Sequence, residues 1–228
     1  MDERRTIAPY VVLDFGNHGL FGLEVPKKYG GRGLSTTDTL RIIEQFAAID
    51  LALALMVGLH NGLGVRPILN FGSDALRQEL LPQLATGRQL AAFALTEPGA
   101  GANPLAMQAT ARKTANGWRV HAEKQWIGLA SWAGVITVFA KAQDVNGKSA
   151  GTVALAVPEN TVGLRHGPEA LTMGMRGMVQ NSVILNNATL DQGNQLGQVG
   201  DGMKVAQDAM MSWRSRPQQG TLICTHLR

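Results

Sequence analysis

The hydrophobic period of this chain changes near residue 90, and that change limits the folds open to it. Upstream, apolar residues recur every three or four positions, as on one face of a helix. The stripe consists of Ile42, Phe46, Ile49, Leu53 and Val57. It predicts one long helix that ends near Gly58 or Gly62. Downstream, apolar and polar residues alternate, which is typical of half-buried strands. The pattern predicts an α+β protein.

A second helix is predicted just before the change of period. Ser73 and Asp74 are suited to its first turn, and Gly87 to its end. Its buried face consists of Leu76, Leu80 and Leu84. Pro82 lies inside this pattern and predicts a break, because proline lacks the N–H that a helix interior needs.

The region after residue 90 is expected to be a small antiparallel barrel or sandwich. Residues 90–95 form an apolar run typical of a buried strand. Residues 107–114 and 118–124 alternate on either side of Asn116-Gly117, a strong hairpin signal. Further strands are predicted at 135–141, at 152–157 and within 180–190.

Helical spacing returns after Gly202, which suggests three domains. The new apolar face consists of Met203, Val205, Ala206, Ala209, Met210 and Trp213, and the pattern runs into Arg216-Pro217. Such a face needs a partner to cover it. We therefore expect an N-terminal α-helical domain at 1–90, a β middle domain at 91–200, and the start of a truncated C-terminal helical domain at 201–228.

Composition excludes several functional classes. The 228 residues carry a net charge of +4, but Lys and Arg are scattered, which argues against a nucleic-acid partner. Cys224 is the single cysteine, in keeping with a reducing, cytoplasmic location. The five histidines lack metal-ligand spacing. The most apolar stretch, residues 51–59, is too short to span a bilayer, and the first residues do not resemble a signal peptide.

The loop at residues 95–103 is the strongest candidate for a binding site. It contains two glycines around an alanine, so backbone amides can approach a ligand closely. Successive free N–H groups in such a turn can bind an anion such as a phosphate. An ordinary Gly/Pro turn between two elements remains the alternative.

Five motifs in order resemble those of the acyl-CoA dehydrogenase family. The loop itself is similar to the flavin loop T-E-P-G-A-G-S-D, and reads Thr96-Glu97-Pro98-Gly99-Ala100-Gly101-Ala102-Asn103. Lys124-Gln125-Trp126-Ile127-Gly128 resembles K-x-W-I-T, and Met173-Gly174-Met175-Arg176-Gly177 resembles L-G-x-R-G. Residues 22–34 and 194–203 resemble two further family segments. Together the motifs cover most of the chain, from about Gly19 to Trp213.

The resemblance implies FAD as the cofactor. By position, the flavin-binding residues would be Phe93, Leu95, Thr96, Gly101, Ala102, Trp126, Ile127 and Gly128. Thr96 can donate a hydrogen bond to a ring heteroatom, and Trp126 offers a flat apolar face. A strand residue that fills the barrel core is the other interpretation of Trp126. For Arg176 we favour a structural role in its loop over a ligand contact.

The resemblance also implies a reaction, the α,β-desaturation of an acyl thioester carried on CoA or on a carrier protein, as in fatty acid metabolism. Implied partners are that substrate, an electron-acceptor flavoprotein, and either further copies (a dimer or tetramer) or a chain that completes the enzyme; no membrane partner is implied. The family's glutamate base comes from the C-terminal helical domain, so we predict no catalytic residue here. Glu97 is expected to accept backbone hydrogen bonds instead.

Three departures from the family motifs leave a second function open. Ala102 replaces a serine near substrate and flavin, Asn103 replaces an aspartate, and Gly128 replaces a threonine beside the flavin. By position Ala102 is also the expected substrate contact. Each lost hydroxyl hydrogen bond is worth about 0.5–1.5 kcal/mol. A non-catalytic binding or assembly module that keeps the fold is therefore the alternative to an oxidoreductase.

Overall fold

The computed structural model describes the backbone of residues 3–214 and the side chains of residues 3–211. Helices form the first part of the chain, and one more follows the strands. The α-helices are α1 (Pro9–Asn17), α2 (Thr36–Ala47), α3 (Leu51–Gly58), α4 (Arg66–Phe71), α5 (Asp74–Ala85) and α6 (Gly202–Arg214). A π-helical turn, Leu59–Val65, joins α3 to α4.

In the described part of the chain, eight strands form one mixed sheet. They are β1 (Leu90–Ala94), β2 (Thr110–Lys113), β3 (Gly117–Gly128), β4 (Ala133–Gln143), β5 (Ser149–Pro158), β6 (Leu164–Glu169), β7 (Gln180–Asp191) and β8 (Gln195–Leu196). Their order is β6-β7-β3-β2-β4-β5-β8, and β1 pairs with β4. The sheet is mostly antiparallel, but β4 pairs in parallel with β1 and with β2. The sequence pattern did not predict β6, β8 or the parallel pairings.

The sheet separates two apolar cores because its strands alternate. Ile136 and Val138 of β4 pack in one core with Trp118 of β3 and Leu185 of β7. This core contains only residues of the strands and of the loops that connect them. This core is the interior of the expected barrel or sandwich. On the other face, Phe139 of β4 joins a core that includes residues of α4, α5 and α6. These helices therefore pack against the opposite face of the sheet.

The prediction of one long helix over residues 42–57 is wrong. Two helices, α2 and α3, cover this segment, and the break lies at Asp50. The Asp50 carboxylate caps α3 by accepting hydrogen bonds from the amides of Ala52 and Leu53. Ile49, assigned to the buried stripe, is 81% exposed. The spacing of apolar residues persists across the break, and the local cap decides where the helix begins.

The apolar helical segment is longer than the sequence pattern indicates. Because the π-helical turn connects α3 to α4 without a break, one continuous helix spans Leu51–Phe71. By length and composition it could cross a membrane, but 61% of its most apolar window is buried inside the protein. Its apolar character is that of a core helix.

The predicted break at Pro82 is also absent, since α5 runs unbroken from Asp74 to Ala85. Proline in a helix interior costs about 3 kcal/mol. Leu80, Leu81 and Leu84 are buried, and each contributes about 1.5–3 kcal/mol by leaving water. The expected start at Ser73 is confirmed, because its hydroxyl accepts a hydrogen bond from the Leu76 amide.

Helix α6 is covered by the chain's own sheet and helices. Val205, Ala206 and Ala209 are fully buried. Arg66, at the start of α4, joins that helix to α6, because its Nε lies 3.0 Å from Asp208 Oδ2. Its Nη1 lies 3.2 Å from Oε2 of Glu24, in the segment between α1 and α2. Up to Met211, the last residue whose side chain is described, the expectation that this face needs a partner outside the chain is therefore wrong. The side chain of Trp213, and Arg216-Pro217, lie outside the described residues.

His60 links the helices to the sheet from within the π-helical turn. Its Nδ1 accepts a hydrogen bond from the Ala91 amide of β1, and its Nε2 donates to the Leu84 carbonyl of α5, each at 3.1 Å. The ring is fully buried. Burial disfavours the charged ring and lowers the pKa of His60 to about 4.

This buried histidine predicts acid sensitivity. The unfolded chain protonates His60 near pH 6.5, whereas the folded chain does so only near pH 4. Its contribution to stability is therefore complete above pH 6.5 and is lost as the pH falls towards 4. The free energy of unfolding falls by about 3 kcal/mol, because each unit of difference between the two pKa values is worth about 1.36 kcal/mol. Urea unfolding across this range should show it, and His60→Gln should remove that part of the slope. Equal slopes in both proteins would contradict this role.

Candidate functional site

A cavity of about 230 Å³ lies where the π-helical turn, the end of β1 and the end of β3 meet α6. Its lining comprises Leu59, Leu63, Ala91, Ala92, Phe93, Leu95, Thr96, Trp126, Ile127, Gly128 and Met210. Pockets that enclose a whole drug-sized ligand measure about 300–1,000 Å³, so this cavity fits one part of such a ligand. Most of these residues have apolar side chains, and Thr96 supplies the only side-chain hydroxyl among them.

The predicted binding loop begins with a tight turn after β1. The amides and carbonyls of Glu97 and Ala100 exchange two hydrogen bonds, which leaves Pro98 and Gly99 exposed at the tip. A Cβ built on Gly99 or Gly101 would meet no atom within 4 Å. Neither glycine has a positive φ. Packing within the described chain therefore does not require these two glycines, and the space beside them is open to a ligand.

A buried ion pair holds the base of this turn. Lys124 Nζ lies 2.8 Å from Glu97 Oε1 and also donates to the Leu95 carbonyl at 3.0 Å. Lys124 is fully buried and Glu97 is 5% exposed. The Glu97 carboxylate also accepts from the amides of Gln108 and Ala109. Backbone hydrogen bonds to Glu97 were predicted from the sequence, whereas its pairing with Lys124 was not.

The contacts and the position of Glu97 argue against a role as a general base. Burial disfavours its charged form, but the hydrogen bonds from Lys124, Gln108 and Ala109 outweigh burial and lower the pKa of Glu97. Burial lowers the pKa of Lys124, and Glu97 offsets part of that effect. The carboxylate is therefore ionised and already bound, and it does not line the cavity.

A β-bulge in β3 turns Trp126 towards the cavity. Residues 118–124 alternate, with Val120, Ala122 and Lys124 buried. The register then shifts between Lys124 and Ile127, and Trp126 adopts a φ of 61°. As a result Ile127 enters the core at 2% exposure and Trp126 is 55% exposed. Without the bulge, Trp126 would point inwards, so the core interpretation of this residue is wrong.

Gly128 makes room for two apolar side chains. A Cβ at this position would lie 2.9 Å from Leu59 Cδ1 and 2.9 Å from Met178 Cε. The space of the family's threonine is thus occupied by the ends of Leu59 and Met178. The absence of a side chain at Gly128 therefore makes this wall of the cavity more apolar.

Six of the eight predicted cofactor-binding residues line one cavity: Phe93, Leu95, Thr96, Trp126, Ile127 and Gly128. Gly101 and Ala102 lie exposed in the loop and outside this lining. Their assignment, and that of Ala102 to substrate, stays a prediction. Arg176 Nε donates to the Met173 carbonyl within its own loop, as a structural role requires.

Sequence reasoning missed five lining residues, Leu59, Leu63, Ala91, Ala92 and Met210. The four-residue spacing of the two leucines is a signal for a shared helix face. However, that spacing does not reveal the π-helical turn that carries them. A second, open groove of about 470 Å³ lies between α1 and Trp132, and none of the predicted site residues lines it.

The positive φ of Trp126 predicts an unusual ranking of substitutions. A left-handed backbone costs a residue with a Cβ about 1–2 kcal/mol, and glycine avoids that cost. We expect Trp126→Gly to be more stable than Trp126→Ala by about 1 kcal/mol in urea unfolding. The matched control is Glu123, exposed on β3 with no positive φ, where alanine should be the more stable. The same ranking at both positions would contradict the bulge geometry.

Comparisons with known proteins agree with the motifs. The family model described as acyl-CoA dehydrogenase, N-terminal domain, matches residues 1–88, and the model of the middle domain matches residues 92–188. The chain is 35% identical over 209 residues to a probable acyl-CoA dehydrogenase of Bacillus subtilis, covering 91% of this chain and 34% of that protein. It is 35% identical over 203 residues to the mitochondrial very long-chain specific acyl-CoA dehydrogenase of Macaca fascicularis, covering 86% of this chain and 31% of that protein.

The fold agrees as well. The crystal structure of an acyl-CoA dehydrogenase complexed with FAD from Bacillus anthracis superposes with a TM-score of 0.85 at 34% identity, covering 93% of this chain and 36% of that one. The chain spans about a third of the length of these relatives. Both domain matches, the order of the motifs and the shared fold lead to one assignment: the chain belongs to the acyl-CoA dehydrogenase family.

Proposed function

We propose that this chain binds FAD at the cavity and forms the flavin-binding part of an acyl-CoA dehydrogenase. The observation that carries the proposal is the convergence of Thr96 and Trp126, 30 positions apart in sequence, on the same cavity. The turn after β1 brings the first and the bulge in β3 brings the second. A hydroxyl donor beside a flat aromatic face suits a planar heteroaromatic ring.

The residues present fit such a cofactor. The Thr96 hydroxyl makes no hydrogen bond to any residue that the structure describes, so it is available to a ring heteroatom. Trp126 offers its exposed face to the ring system. Gly99 and Gly101 leave open space in which backbone amides can approach phosphates. The relative from Bacillus anthracis was solved with FAD, which supports the same cofactor here.

We further propose that the reaction is the α,β-desaturation of an acyl thioester, on CoA or on a carrier protein, as in fatty acid metabolism. Bound FAD would supply the group that accepts the β-hydride. The residues of this chain would bind the flavin and exclude water from it, since Leu59, Leu63 and Met210 make the cavity wall apolar. None of the described lining residues titrates. Abstraction of the α-proton would therefore need a carboxylate that does not belong to this lining.

Partners follow from the same chemistry. Two electrons accepted by the cofactor must leave it in each cycle, which calls for an electron acceptor, and the family resemblance makes a flavoprotein our proposal for it. An assembly of two or four copies, or a completing partner chain, is supported by the exposed apolar side chains Leu171 and Met173, at 81% and 93% exposure. The location would be the cytoplasm, in keeping with the single Cys224.

A non-catalytic binding module is the second candidate. Two observations favour it: Leu59 and Met178 occupy the space that a side chain at position 128 would take, and Ala102 has no hydroxyl to offer. Such a module would keep the fold and could keep the flavin without turnover.

Titration with FAD tests the proposal. We expect saturable quenching of flavin fluorescence and a rise in the melting temperature. Trp126→Ala should weaken binding about tenfold through the loss of stacking. Thr96→Val should weaken it about threefold to tenfold through the loss of one hydrogen bond. Tyr10→Ala, which removes an aromatic ring that is 69% exposed on α1, is the control and should change nothing.

The outcomes separate the two candidates. If neither quenching nor a thermal shift appears, the flavin proposal is wrong. If FAD binds, a panel of acyl-CoA thioesters with an artificial electron acceptor should be assayed on the loaded protein together with the longer chain of a relative as a positive control. Binding without turnover, while the control turns over, favours the module.

A further inference from the structure

We propose that Lys124 is a positioning residue, whose buried ammonium fixes Thr96 and Trp126 relative to each other across the cavity. The inference rests on the proposed function in one respect: the ligand that benefits is the flavin. The geometry behind it belongs to the chain alone.

The ammonium holds the residues on both sides of Thr96. Lys124 Nζ donates to the carbonyl of Leu95 at 3.0 Å and to the carboxylate of Glu97 at 2.8 Å. Thr96 lies between these two anchors and cannot shift unless one of them breaks. Because Lys124 is fully buried, water does not compete for either contact.

The neighbouring residue extends the connection towards Trp126. The amide of Gln125 donates to the carbonyl of Thr96 at 2.9 Å. Two successive residues of β3 therefore hold three successive residues of the loop. Trp126 follows directly, in its left-handed conformation within the bulge. The orientation of its ring is thus set by the same segment that fixes Thr96.

Glu97 connects this arrangement to the sheet. Its carboxylate accepts from the amides of Gln108 and Ala109, just before β2, as well as from Lys124. An apolar side chain at position 124 would leave the Leu95 carbonyl without its donor and the buried carboxylate without its cation. The alternative is that Lys124 only neutralises the charge of Glu97. In that case Leu95 and Thr96 would keep their positions when both charges are removed, and this can be tested.

The test compares three variants in the FAD-free protein by amide hydrogen exchange. Lys124→Met removes the ammonium and retains the volume of the side chain. Glu97→Gln/Lys124→Met leaves no buried charge, and so restores charge balance without restoring the donor to Leu95. Leu190→Ala is the stability-matched control, since Leu190 is buried on β7 opposite Trp118, at the other end of β3.

We expect the Gln125 amide to exchange at least about tenfold faster in Lys124→Met than in Leu190→Ala at equal global stability, the lower end of the factor that one charged hydrogen bond is worth. The double variant should recover much of the stability but not the protection of Gln125. FAD affinity should fall about tenfold in both Lys124 variants and stay unchanged in Leu190→Ala.

Two results would overturn the proposal. One is protection of Gln125 in Lys124→Met equal to that in Leu190→Ala. The other is recovery of both wild-type protection and FAD affinity in the double variant, which would reduce the pair to charge balance. If Lys124→Met does not fold, the double variant decides alone. Failure of wild-type protein to bind FAD would refute the proposed function, while the exchange data would still decide whether Lys124 fixes Thr96.

Discussion

The buried contact between Lys124 and Glu97 is the interaction on which the candidate site depends. Taking two charges out of water is costly, and the cost is offset only when every polar atom has a partner. Here the carboxylate also accepts two backbone amides and the ammonium also binds the Leu95 carbonyl. The pair therefore joins three segments, the end of β1, the start of β2 and the end of β3. Its second consequence is chemical: the same contacts occupy the Glu97 carboxylate outside the cavity lining and lower its pKa, which makes it a poor general base.

Irregular backbone gives the cavity its shape. The π-helical turn places Leu59 and Leu63 at one wall, and the β-bulge places Trp126 at another. Both depart from regular hydrogen bonding, and both are held by buried contacts nearby. His60 ties the π-helical turn to β1 and α5, while Lys124 precedes the bulge. Departures of this kind occur often at functional sites, because they aim side chains that a regular element would direct elsewhere.

Local patterns predicted elements well wherever packing did not compete with them. The hairpin at Asn116-Gly117, the helix start at Ser73 and the strand before Thr96 all follow from signals within a few residues. The wrong predictions arose where a cap or the packing of the core outweighed the local pattern. The break at Asp50 overrides an apolar stripe that continues past it, and burial of Leu80, Leu81 and Leu84 overrides Pro82. The face of α6 was expected to need a partner because none of the elements that cover it is local: β5 lies some 50 residues earlier in the chain, and α4 and the π-helical turn lie more than 130 residues earlier.

The sequence by itself determined the fold class, the order of the family motifs and six residues that line one cavity. It did so because hydrophobic period and turn chemistry are local, and because the loop and the K-x-W-I motif can be recognised without coordinates. Tertiary structure alone decided that Lys124 binds both neighbours of Thr96, that Trp126 leaves the core, and that Leu59, Leu63 and Met210 close the cavity. Each of these depends on contacts between residues far apart in sequence, whose distances only the folded chain sets.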